Sequence, residues 1–94
     1  MMSMDQILTL IVKAIKAAAR GRNIKISNKN YGYVYISIEN HLYVTLSCTS
    51  VKIRKSEQTA YFPISDFESR GLAELATNFF MLITGVTKPK EFFS

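Results

Sequence analysis

Four tyrosines, Tyr33, Tyr35, Tyr43 and Tyr61, fall on the side of β-like segments that the aliphatic residues leave vacant. The same side carries Lys25, Lys52 and Arg54. Flat rings stack on nucleobases at about 1–3 kcal/mol per base, while Lys and Arg hold phosphates. The full outward set (Lys25, Ser27, Tyr33, Tyr35, Ser37, Tyr43, Thr45, Ser47, Lys52, Arg54 and Tyr61) holds rings, hydroxyls and cationic arms, with no carboxylate and no aliphatic side chain. Such a face suits an anionic partner, and single-stranded nucleic acid most directly. Tyr and Arg also dominate protein-interface hot spots, so an acidic protein surface is the other candidate partner. A third reading is structural, since Tyr and Thr favour strands and their cross-strand pairs stabilise sheets. Tyr31, beside Gly32 and a turn, is left out of the binding set.

A second basic surface lies upstream. No acidic residue occurs from Gln6 to Ile38, a stretch that contains Lys13, Lys16, Arg20, Arg22, Lys25 and Lys29. The first 38 residues hold six basic residues against one acidic, and the remainder balance six to six, so the net charge of +5 sits in the N-terminal third. Lys13, Lys16, Arg20 and Arg22 are therefore added to the candidate binding residues. An imbalance of this kind points to nucleic acid, an acidic protein face or an anionic membrane surface. The membrane is the weakest of the three, because a small core needs the apolar side of the first helix for itself.

Catalytic chemistry finds few groups to work with. A metal site needs three or four ligands from Cys, His, Asp and Glu, and the chain has one His and one Cys. His41 and Cys48 stand at odd and even positions, so a strand would point them to opposite faces. The four glycines are scattered and make no phosphate-cradling loop. We expect no enzyme, no metal and no cofactor. The lone Cys48 forms no internal disulfide and suits a cytoplasmic location. "ILTLIVKAIKAAA" is interrupted by two lysines and falls short of the about 18–20 apolar residues of a membrane span. Asp5 ahead of it also argues against a signal peptide.

The elements that must position these residues follow from periodicity. Residues 3–20 read as a helix whose apolar arc is too wide for one sheet face, so it should also touch the C-terminal helix or a second copy of the chain. Strands are expected at about 23–27, 31–38, 42–48, 51–55 and 59–64, linked by "NKN", "ENH", "TS" and "SEQ". Pro63 belongs on an edge strand or at a strand's end. Ser65 and Glu68 have the spacing of a capping box, which predicts a helix over 66–84, with Gly71 a site for a kink or late start. In the tail, 86–94, Phe92 and Phe93 either dock on the body or bind a partner. The expected fold is α+β: one domain over 1–94, a four- to five-stranded antiparallel meander with both helices packed on one face and the other face open.

Consecutive strands followed by "FPISDFESRGLAELATNFF" resemble the strand-to-helix ending of the PC4-like transcription cofactors. The resemblance covers about 35 residues, is one of pattern, and does not account for the N-terminal helix. It implies a sheet that binds single-stranded DNA in a dimer. A small Asn/Lys/Ile/Tyr-rich chain is also similar in composition to the single-domain proteins that phages direct at host machinery. The expected function is thus binding of nucleic acid or a nucleoprotein complex, and the alternative is a protein-binding inhibitor or adaptor. Neutralising about five phosphates would give a log–log salt slope near −3.5 on single strands.

Overall fold

A computed structural model of the chain describes residues 2–29 and 32–94. Ser3 opens the first helix, α1 (Met4–Ala18). Its Oγ accepts from the Gln6 backbone N–H at 3.2 Å, and Gln6 Oε1 accepts from the Ser3 N–H at 2.8 Å. Each side chain thus satisfies one of the donors that a helix start leaves without a partner. The helix stops two residues short of Arg20, and Gly21 takes the left-handed conformation (φ +81°) that releases the chain toward the sheet.

Five strands follow, β1 (Ile24–Lys29), β2 (Tyr33–Ile38), β3 (Leu42–Leu46), β4 (Ser50–Lys55) and β5 (Gln58–Pro63), paired in sequence order and antiparallel throughout. The five-stranded meander matches the expected architecture. Strand boundaries shift by one or two residues, the changes of two being the later end of β1, the later start of β2 and the earlier end of β3. The N-terminal end expected for β2 at Tyr31, and part of the "NKN" turn, lie outside the described residues. The β2–β3 connection is tight because Glu39 and Asn40 both adopt positive φ (53° and 51°). Pro63 ends β5, which is an edge strand, as a residue without an N–H requires.

One face of the sheet is apolar. Ile36 and Ile38 of β2, Leu42, Val44 and Leu46 of β3, and Val51 and Ile53 of β4 are buried in one cluster with Ile7, Ile11, Ala14 and Ile15 of α1. The second helix, α2 (Leu72–Ile83), adds Leu75, Phe79, Leu82 and Ile83 to that cluster and packs along α1. It is therefore α2 that covers the part of α1's wide apolar arc that the sheet does not. Among the described residues no helix is long and apolar enough to cross a membrane.

The helix expected over 66–84 is corrected. Residues Ile64–Phe67 form a short 3-10 turn, and α2 begins only after Gly71. The Ser65–Glu68 capping box does not form: Glu68 Oε1 instead accepts from the Met2 N–H at 3.1 Å. The physical reason is Phe67, which has no exposed surface. Turning this ring into the core bends the chain, and the helix restarts at Gly71 in extended conformation.

The tail docks on the body. Phe92, 2% exposed, stands 4.6 Å from Phe79 and 5.8 Å from Phe67 between ring centroids. Phe93 meets Phe67 edge-on at 4.9 Å and carries the Arg70 guanidinium over its face at 4.6 Å. Edge-to-face pairs of this kind add to area burial. With both rings so engaged, the tail docks on the body, the first of the two expectations for it. At the other end of the helix layer, Lys55 Nζ donates to the Leu82 carbonyl at 2.6 Å, placing a positive charge on the C-terminus of α2.

Two substitutions test this layer. Phe92→Ala should lower unfolding free energy by about 3 kcal/mol, the usual loss for a buried aromatic ring. Lys55→Met keeps the stem and removes the charge, and should lower it by about 1 kcal/mol. Urea midpoints at unchanged slope would read both.

Candidate nucleic-acid interface

Alternation along each strand sends every second residue to the face away from the helices. The register then aligns those residues in rows. Lys25 stands opposite Ser37, Ser37 opposite Tyr43, Tyr43 opposite Arg54, and Arg54 opposite Thr59. The next row is Ser27, Tyr35, Thr45, Lys52 and Tyr61. No carboxylate stands in either row. Five of the described positions chosen from the sequence, Lys25, Tyr35, Tyr43, Lys52 and Arg54, line one groove of about 570 Å³, together with Ser27, Ser37, Asn40 and Thr45.

The rings are accessible. Tyr33 is 43% exposed, Tyr35 39% and Tyr61 67%, while Tyr43 is half-buried. Tyr33 and Tyr35 stack with centroids 6.1 Å apart. The Arg54 guanidinium lies 4.4 Å from the centroid of Tyr43, and Lys52 Nζ lies 5.8 Å from that of Tyr61. Cations held over rings are favourable by about 0.5–1 kcal/mol at exposed sites and leave the ring's other face open. Among the described residues the ion pairs are Arg22–Glu39 and Arg70–Glu74, so Lys25, Lys52 and Arg54 have no carboxylate partner there. The face is positive and its charge is not neutralised internally.

The structure separates the candidate residues into two groups. Lys13 and Lys16 are exposed on α1, in the layer behind the sheet, and Arg20 is exposed in the turn that follows the helix; none of the three lines the groove with the tyrosines. Arg22 is bound to Glu39 at 3.0 Å near the β2–β3 turn. The eleven residues therefore do not form one surface. Seven of them share the open face, and the N-terminal cations form a second positive region on the helix layer.

Ser37 and Thr45, expected on the outward face but not among the binding residues, and Asn40, which was not singled out, line the groove. Ser37 and Thr45 are small, and each sits directly across from a tyrosine, so the floor sinks between the rings. The signal was present in the alternation, as a small residue next to a large one on each strand, but only the register aligned the two. Ser37 Oγ is shielded from solvent and has no hydrogen-bond partner among the described residues. Elsewhere, His41 and Cys48 are exposed, and no three His, Cys, Asp or Glu side chains cluster as a metal site among the described residues.

No known protein family, curated protein or solved structure matches this chain. The face must therefore be read from its own chemistry.

A buried hydroxyl without a partner opposes folding by about 1–3 kcal/mol. Ser37→Ala should accordingly leave stability unchanged or raise it by up to about 1 kcal/mol, because it removes that unmet bond with little change of volume. A fall in the urea midpoint would mean that the hydroxyl is satisfied in the folded chain.

Proposed function

We propose that the protein binds single-stranded nucleic acid, free or within a nucleoprotein complex, on the open face of its sheet. The observation that carries this reading is a face on which accessible tyrosines stand beside cations that no carboxylate neutralises. Tyr33, Tyr35 and Tyr43 stack on bases, with Tyr61 at the rim. Lys25, Lys52 and Arg54 hold phosphates. Binding is by stacking and charge rather than by chemistry on the ligand, so the reading is of a non-enzymatic protein working in the cytoplasm. A single strand fits better than a duplex, because stacking on a flat ring requires bases already freed from their partners.

With the α1 cations on the other layer and Arg22 paired, the face itself offers three cations. The log–log salt slope expected for a single strand is then about −2 rather than −3.5. Changing Lys25, Lys52 and Arg54 together to Gln should flatten it nearly to zero. Tyr43→Ala should weaken binding by about tenfold, the worth of one stacked base, with the slope unchanged. Polarisation titrations of a labelled single-stranded oligonucleotide between 50 and 200 mM salt, on the order used for such slopes, would read both effects. No binding at low salt, together with a stoichiometric protein complex, would favour the adaptor reading instead.

A further inference from the structure

The flat groups of the open face come in two stacks with a gap between them. Tyr33 lies on Tyr35 with planes 24° apart, and on the far side Arg54 lies over Tyr43. Tyr35 stands opposite Thr45 and Tyr43 opposite Ser37, which makes the two tyrosines diagonal neighbours on adjacent strands. Diagonal neighbours are about 7–8 Å apart. That spacing is between backbones, and the groove of about 570 Å³ that both tyrosines line leaves room above it for one flat ring. The floor of the gap is Ser37 and Thr45, the two small residues of the groove's centre.

Ser37 is also the point on this face that the chain itself leaves unfinished. Its Oγ is buried and lacks a partner, while the residue as a whole keeps some surface in the groove. Rotation about χ1 alone moves a serine hydroxyl between staggered positions. A hydroxyl both donates and accepts, so it can bond to the edge of a base. Lys25 stands directly across from Ser37 on one side, and Lys52 across from Thr45 on the other. They stand on β1 and β4, about 14 Å apart at their backbones, and supply a cation on each side of the slot for the phosphates of a bound strand.

We propose that this slot takes one nucleobase of a bound strand, held between Tyr35 and Tyr43 and hydrogen-bonded at its edge by Ser37 Oγ, so that the face reads base identity at one position. The inference rests on the nucleic-acid reading of the face. A buried polar group that meets its partner only in the right ligand discriminates against bases that leave it unpaired.

The test uses the full chain with labelled 12-mers of dT, dC and dA, in wild type, Ser37→Ala and Ser37→Leu. Wild type should prefer one homopolymer by about tenfold, and Ser37→Ala should cut that preference to about threefold or less while keeping its salt slope. Ser37→Leu fills the slot and should weaken the favoured homopolymer about tenfold, to the level of the others. Since Ser37→Ala removes an unmet bond, its folded state should survive, and its urea midpoint reads that directly. Equal wild-type binding of the three homopolymers, or a preference that survives Ser37→Ala, would overturn the slot and leave salt-dependent binding by the face intact. No binding to any homopolymer at low salt would overturn the reading of the face and the slot with it.

Discussion

Both helices press on the same side of the sheet, and this one-sided coverage governs everything else in the molecule. Ile36, Val44 and Ile53 can be buried only because α1 and α2 lie over them with Ile11, Ile15, Leu75 and Phe79. With a period of two along each strand, burying those residues obliges their neighbours to face water. Ser37, Tyr43, Thr45 and Arg54 are those neighbours. The chemistry of the open face is thus coupled to the core by geometry: a one-residue slip in any strand would exchange the two.

The helix layer is held by several unlike contacts. α1 is fixed at its start by the Ser3–Gln6 reciprocal bonds and along its length by apolar packing. α2 is fixed at its end by Lys55, which reaches it from β4. Between them, Phe67, Phe79, Phe92 and Phe93 form a cluster of tilted and edge-on rings that ties the tail, the 3-10 turn and α2 together. The six phenylalanines and the tyrosines are divided by this arrangement. Phenylalanines serve mainly the interior, whereas the described tyrosines, with a hydroxyl that tolerates water, serve the sheet's outer side.

Most of the fold could be read from alternation and turn residues, because β2, β3 and β4 pack one face and their aliphatic residues repeat without fault. The capping box expected at Ser65–Glu68 does not close, while one that the sequence reading did not single out, Ser3–Gln6, does. The difference lies outside both motifs, in the pull of Phe67 toward the core and the Met2 N–H that takes up Glu68. The outer face was likewise legible residue by residue, while the groove was not. Its floor depends on which residue of β2 meets which residue of β3, and strand register is a property of pairs. Lys13 and Lys16 of α1 were grouped with the face because charge was counted along the chain, where they precede Lys25 by a dozen residues or fewer. In space the sheet stands between them.

The order of elements also shapes how such a chain reaches its folded state. Every strand pairs with the next in sequence, so each hairpin closes a short loop at small entropic cost. The packing of α1 on α2 is different, for it joins segments separated by the whole sheet. Contacts of long sequence separation are costly to form before local structure has shortened the path. Loop-closure entropy thus favours the meander's local pairings over the α1–α2 contact, which must be closed from the two ends of the chain. Where the two helices are undocked the sheet's aliphatic side is bare, and that is the form of this chain most exposed to association with its own copies.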